Sequence, residues 1–387
     1  MGPTYPRSRA QTRAPSASNV VVVGVRPSRT CRKGPHSTPV RAHPHVRKLW
    51  ALAANLALAS AVLAGPARAE ARTVPNIFSA NSKTPCIYAA TSVPLMRSFS
   101  RLTGKRFNCA MVYNNARPTW SWWKRLWISH PPRPWMQVLK WAKAVPGRRL
   151  IISQPMVPDD VPANWRQLGA KGAYDGYAKD FARNLVALGL GDAVIRLGWE
   201  ANTNADRETA LGTNPAQWRA WARYWANLVR SMRSVPGAHF IFDWTVNQYK
   251  FPVPLSKWYP GNNVVNVIGI DAYDSGIADS SLTPEQRWQE LSSEPDGLDA
   301  VAAFAAAHGK PLSLPEWGLV APGPAGGAGD DPTYVAGLAH WIRSHRVMYE
   351  SYFYDPGDAN LIFLPQAPAS LRVYERSFPN GRRLGGS

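Results

Sequence analysis

Apolar residues along this chain follow two alternating rhythms. Short apolar runs recur at Ile87–Ala90, Cys109–Tyr113, Leu150–Gln154, Ala193–Gly198, His239–Trp244, Val265–Asp271, Leu312–Pro315 and Met348–Tyr354. Short continuous runs of this kind predict parallel strands covered on both faces. Between most of them the apolar positions return at helical spacing. Tyr174, Tyr177, Phe181, Leu185 and Leu188 share one face, as do Trp218, Trp221, Trp225, Leu228 and Met232. Leu298, Val301 and Phe304 mark another face, and Val335, Leu338 and Ile342 a fourth.

Start and stop signals frame these helices. Asn214-Pro215 reads as a cap followed by a first-turn proline, with Gln217 three residues after the cap. Thr283, Pro284 and Gln286 repeat that signal, and Asp331-Pro332 opens a later helix. Gly309 and Pro311 stop the helix before the seventh strand. A last helix is expected around Leu371 to Phe378. Strand–helix alternation repeated about eight times predicts an α/β fold, a single (β/α)8 TIM barrel.

The first 69 residues stand apart. Arg47 and Lys48 precede an apolar run from Leu49 to Ala64, and Ala67-Arg68-Ala69 supplies the small residues of a cleavage site. A signal peptide with cleavage after Ala69 is expected, leaving a catalytic domain over 70–387 that is secreted or periplasmic. The apolar run is short for a membrane span, so no stable insertion is expected after cleavage. The residues ahead of it contain no acid, and the first acidic residue is Glu70. Either the n-region is long, or translation begins near Val46 and residues 1–45 are not made. In both readings Val20–Val23 is not a strand of the fold.

Removing residues 1–69 takes away eleven Lys and Arg and no acid, so the formal charge falls from +20 to +9. The remaining basic residues are scattered, without a polybasic helix, which disfavours nucleic-acid binding. Cys86 and Cys109 are the cysteines of the mature chain. In an oxidising compartment they are candidates for one disulfide, the alternative being two separate buried thiols. A monomer without a cofactor is expected.

In a barrel of this type the active site lies at the C-terminal strand ends. Those ends carry Arg196, Trp199, Glu200 and Asn202 after strand four, and Asp243, Trp244, Asn247 and Gln248 after strand five. Asp271 and Tyr273 follow strand six, Glu316 and Trp317 strand seven, and Tyr354 strand eight. Two glutamates end apolar strands beside tryptophans. Each could serve only a salt bridge or a cap. Together they suit glycosidic cleavage, in which one carboxylic acid protonates the leaving oxygen and the other carboxylate attacks the anomeric carbon. Trp244 and Trp317 are expected as sugar platforms. The loop NNARPTWSWWKRLWISHPPRPW, with Trp120, Trp122, Trp123 and Trp127, either walls the cleft or covers the barrel. The glycine-rich stretch from Ala321 to Pro332 is either a mobile lid or a disordered surface connection.

The segments RLGWEAN, WYPGNNVVNVIGIDAYD and LPEWG resemble glycoside hydrolase family 26, known for β-mannanases, some β-1,3-xylanases and mixed-linkage glucanases. The resemblance implies a retaining enzyme acting on a β-linked polysaccharide, with Glu200 as acid/base and Glu316 as nucleophile. It implies that Tyr273 hydrogen-bonds the nucleophile and that Arg196 holds it ionised. Asn202, Asn247, Asp271 and Tyr354 join the candidate substrate-binding set. Trp199 departs from the pattern, because the mannanases usually carry His before the acid/base, and it offers a stacking plane instead.

Other chemistries fit less well. His340 and His345 are five residues apart and share no i, i+4 face for zinc. No G-x-S-x-G elbow follows the leader, and no strand–GxGxxG–helix element or phosphate loop occurs. Two rivals remain: a catalytically silent barrel that binds polysaccharide, and a glycosidase acting on an acidic bacterial exopolysaccharide.

Overall fold

The computed structural model describes residues 76–384 except 115–117, 249–252, 278–280, 296, 325 and 359. The expected leader, its cleavage point after Ala69 and the Val20–Val23 run lie outside the described residues. Eight parallel strands close on themselves: β1 (Thr84–Tyr88), β2 (Cys109–Tyr113), β3 (Arg149–Gln154), β4 (Val194–Leu197), β5 (Ile241–Asn247), β6 (Val267–Asp274), β7 (Leu312–Val320) and β8 (Val347–Phe353). Each pairs with the next, and β8 returns to β1. A short β9 (Leu361–Ile362) adds antiparallel to the end of β7. The fold is the expected single (β/α)8 barrel.

Ten helices flank it: α1 (Val93–Thr103), α2 (Trp120–Trp123), α3 (Val138–Lys143), α4 (Trp165–Ala170), α5 (Asp175–Ala187), α6 (Pro215–Arg233), α7 (Pro284–Ser293), α8 (Leu298–Ala307), α9 (Pro332–Ser344) and α10 (Pro368–Ser377), counting described residues only. The caps read from sequence form. Asn214 accepts from the Gln217 amide, Thr283 and Gln286 make a capping box, and Asp331 accepts from Tyr334. Trp221 and Trp225 of α6 are fully buried, donating their indole N–H groups to the carbonyls of Thr209 and Leu197. They are core, as their helical spacing indicates.

Strand residues alternate between lumen and helix layer. Cys86, Cys109, Met111, Ile151, Val194, Val267 and Tyr349 fill the lower lumen, where Ile77 and Phe78 join them. Above them lies a polar layer. The Asp243 carboxylate accepts from Thr245 Oγ1 at 2.9 Å, Ser313 Oγ at 2.7 Å and Tyr349 Oη at 2.5 Å. Gly269 faces this layer, where a Cβ would come within 2.6 Å of both Asp243 Oδ1 and Thr245 Oγ1. No side chain fits there. The polar lumen residues explain why β5, β6 and β7 run past the apolar stretches that suggested them: alternating polar and apolar positions, not apolar ones alone, belong to the strand.

Cys86 and Cys109 stand directly opposite each other in the β1–β2 register and form a disulfide. It closes a loop with a sequence separation of 23 residues. On chain-entropy grounds, replacing both cysteines by alanine should lower unfolding free energy by about 3 kcal/mol, read from urea denaturation.

Glu350, on the helix-facing side of β8, is wholly buried. Trp317 Nε1 donates to its Oε2 at 2.7 Å, and Oε1 has no hydrogen-bond partner. Burial pushes its pKa from 4.5 up to about 8, with Trp317 and Lys105 pulling the other way. The unfolded chain ionises this group near its ordinary value, whereas the fold keeps it neutral. Stability therefore falls as pH rises between those two values. Glu350→Gln should flatten that fall in the urea midpoint between pH 5 and 8. Equal falls in the two proteins would contradict it.

Candidate active site

The ends of β2, β4, β5, β6 and β7 assemble the mouth. In β4 the phase puts Ile195 and Leu197 outward and Arg196 in the lumen, with no exposed surface. The chain then turns through Gly198 (φ 59°) to Glu200, which sits in the left-handed region at φ 49°. A non-glycine residue there is uncommon and costs of order 1 kcal/mol. The backbone is fixed by the Glu200 amide bonding the Thr245 carbonyl at 3.2 Å. Asn202 and the Asn247 backbone exchange two hydrogen bonds of 3.0 Å each. So positioned, Asn247 Nδ2 donates to Glu200 Oε1 at 2.7 Å.

Glu316 reaches the lumen through a bulge. Along β7, Ser313 points in and Leu314 out. Strict alternation would send Glu316 outward. Yet Leu314 pairs Glu350 and Trp317 pairs Tyr352, so β7 carries one extra residue there. The same extra residue appears against β6, between Ser313 and Trp317. The bulge re-aims Glu316 inward and leaves Trp317 outward. Arg196 Nη1 lies 2.5 Å from Glu316 Oε1, and Arg196 Nη2 pairs with Asp271. Tyr113 Oη donates to Glu316 Oε1, and Tyr273 Oη to Oε2 at 2.8 Å. One oxygen each of Glu200, Asp271 and Glu316 lie within 4.8 Å of one another.

Three carboxyls therefore surround one guanidinium. Burial opposes the charge on Arg196, but Asp271 and Glu316 outweigh it and hold the group protonated. Desolvation first, then the Glu316 charge, pushes Glu200 up to about 7, against Arg196 and the Asn247 amide. Tyr113 and Tyr273 are driven well above their ordinary range by burial and then by Glu316. Asp271 is likewise pushed up, first by burial and against the Arg196 charge, so Glu200 and Asp271 both hold protons more readily than free carboxyls, and the phenols remain donors. The three carboxylates could geometrically hold a cation, but the Arg196 guanidinium already bonds two of them.

The expected residues divide. Arg196, Glu200, Asn247, Asp271, Tyr273 and Glu316 converge, and Asn202 supports Asn247 from behind. Trp199 is nearly buried, its ring edge-on to Tyr113 with centroids 5.2 Å apart. Trp244 and Trp317, expected as sugar platforms, are fully buried in the helix layer. Trp244 packs on Trp258, Tyr259 and Phe304, and Trp317 on Tyr352, Tyr374 and Phe378. Tyr354 also faces outward, against Phe99 of α1. Its neighbour Phe353 takes the lumen face, in ring contact with Tyr88, Tyr113 and Tyr273. Tyr88, Tyr113 and Phe353 were not singled out from sequence, although each ends or nearly ends its strand on the lumen face.

The tryptophan loop mainly covers the barrel. Trp123 is buried and donates to the Pro155 carbonyl, while Trp120 stacks on Tyr177. Trp122 and Trp135 remain exposed. The described part of the Ala321–Pro332 stretch is tied down: Gly326 accepts from Arg287, Ala328 donates to Asp274, and Asp330 accepts from the first amides of α10. That is a surface connection rather than a lid.

Residues 179–309 match the model of Glycosyl hydrolase family 26. No protein of curated function matches the chain in sequence. Among solved structures, a modular endo-β-1,4-mannanase from Cellulomonas fimi aligns with a TM-score of 0.55 at 17% identity, over 79% of this chain and 72% of that one. A Bacillus subtilis mannanase aligns at 0.51 and 12%, over 79% and 90%. A fungal β-1,4-galactanase aligns at 0.50 and 14%, over 76% and 99%. At such identities these likenesses speak for the fold. Over residues 179–309 the chain is therefore similar to glycoside hydrolase family 26, and its barrel is that of the aligned structures.

The electrostatics predict a coupling between the two glutamates. Glu316→Gln removes a charge that raises the Glu200 pKa, so that pKa should fall well below 7, as followed by NMR titration of glutamate side-chain carbons. An unchanged value would show that burial alone sets it.

Proposed function

We propose that this family 26-like barrel is an exported, retaining glycoside hydrolase that cleaves a neutral, β-linked, mannan-like polysaccharide from within the chain. The observation that carries the reading is the glutamate pair: two carboxyls with oxygens within 4.8 Å, one held up to about 7 and the other fixed by Arg196, Tyr113 and Tyr273. Oxygens this close are compatible with direct attack on the anomeric carbon, as in retaining enzymes, whose carboxyl groups stand about 5–5.5 Å apart.

In this mechanism the protonated Glu200 gives its proton to the departing glycosidic oxygen while Glu316 attacks. Bond formation consumes the Glu316 charge. That charge is one of the causes raising the Glu200 pKa. The pKa of Glu200 then falls, and the same carboxyl becomes the base that activates water in the second step. Tyr113 and Tyr273 orient the attacking oxygens. The rings of Tyr88, Tyr113 and Phe353 offer apolar surface to a pyranose face, with Trp199 buried behind Tyr113.

Basic residues support a neutral substrate by where they lie. Six arginines line a hollow between α1 and α3 away from the mouth, and others line one along α6, while Arg196 in the mouth is already paired. The leader pattern and the Cys86–Cys109 disulfide support export. Among the described residues no helix is long and apolar enough to cross a membrane.

Glu316→Ala should abolish hydrolysis while the far-ultraviolet spectrum stays native; near-normal turnover would remove the nucleophile assignment. Glu200→Ala should lose roughly 10²–10⁴-fold on unactivated glycans but glycosylate readily from substrates with good leaving groups. Because the acid must be protonated, kcat/KM should fall as pH rises through about 7, and the Glu200→Ala variant should lack that limb. Product NMR should show retained anomeric configuration.

A further inference from the structure

A hollow of about 760 Å³ lies between α1, α3 and the C-terminal segment. Phe107 and Asn108 border it just before β2, and Arg148 just before β3. That places it at the N-terminal ends of the strands, on the opposite rim from the mouth. Six arginines line it: Arg97, Arg101, Arg106, Arg148, Arg382 and Arg383. No acidic side chain is among its lining residues, and none of the six has an ion pair among the described residues. The arginines crowd one another. The pKa of Arg148 is lowered, first by burial and then by the charge of Arg97. Concentrated like charge in a concave surface raises the local concentration of anionic ligands.

We infer that this hollow is a non-catalytic binding site for an acidic polysaccharide, one whose sugars carry carboxylates. Guanidinium forks match carboxylates two bonds at a time, which lysines do not. Trp141, half-buried in the wall, carries the Arg148 guanidinium over its ring at 4.2 Å from the ring centre, which holds that fork in place at the hollow. The concave shape suits a chain better than a flat bilayer. A chain held on the far rim would tether the protein to an acidic matrix while the mouth stays free. The inference does not depend on the proposed hydrolysis, because binding is read without turnover.

The test uses the full chain and alginate as the polyuronate probe, with β-1,4-mannan, single-stranded DNA and phosphatidylglycerol vesicles in parallel, at physiological salt. Alginate binding by equilibrium dialysis is expected. The triple variant Arg97→Ser, Arg101→Ser, Arg382→Ser should weaken it roughly ten-fold or more. A charge-matched variant, Arg219→Ser, Arg223→Ser, Arg230→Ser, removes three arginines from the smaller hollow along α6 and should leave it nearly unchanged. Thermal midpoints confirm that both variants fold. Equal losses in the two variants would reduce the effect to net charge and overturn the site. Absence of alginate binding by the parent protein, or binding only to DNA or to vesicles, would overturn the ligand class.

Discussion

The guanidinium of Arg196 is wholly buried against two carboxylates, and the mouth is arranged around the cost of placing it there. Removing such an ion from water costs several kcal/mol after relaxation. The structure offsets this with Asp271 and Glu316, and then satisfies the remaining donors: Nε bonds Thr245 Oγ1 and Nη1 reaches Ser153 Oγ, each at 3.2 Å. One cation among three carboxyls leaves an excess of negative charge. Burial and that excess together push the pKa values of Glu200 and Asp271 upward, against the pull of Arg196. On the proposed mechanism, the division of labour between the two glutamates follows from a single positive charge and where its bonds point.

Below the mouth, the Asp243 layer makes the arrangement rigid. A carboxylate accepting from Thr245, Ser313 and Tyr349 ties β5, β7 and β8 together across the lumen, and Gly269 permits the close approach of β6. Thr245 belongs to both networks, bonding Asp243 and accepting from Arg196. Lumen and mouth are therefore one hydrogen-bonded column, built on strands rather than loops, which keeps its side chains in fixed rotamers.

Much of this was legible in the chain. Apolar runs located all eight strands, the caps of α6, α7 and α9 formed as read, and the cysteine pair proved to be opposite neighbours. What failed was facing. The alternation Asp243, Thr245, Asn247 against Trp244, Val246 already assigns Trp244 to the helix layer, so proximity to the strand end was the wrong criterion for a sugar platform. The same parity exchanges Tyr354 for Phe353. Glu316 is different: no parity argument could place it, because its direction depends on an extra residue that only strand pairing reveals. Tyr113 was equally hidden, since its role comes from a carboxylate 203 positions away.

The β7 bulge makes that strand two half-strands spliced out of phase. The half before it keeps step with the Asp243 layer, and the half after it keeps step with the mouth. Pairing the same residues without the bulge would exchange the faces beyond it, turning the Trp317 indole into the lumen and the Glu316 carboxylate into the apolar helix layer. Chimeras joining this barrel to another through β7 must therefore conserve phase as well as length, and alignments that slide a gap freely through LPEWG would be silent about the difference.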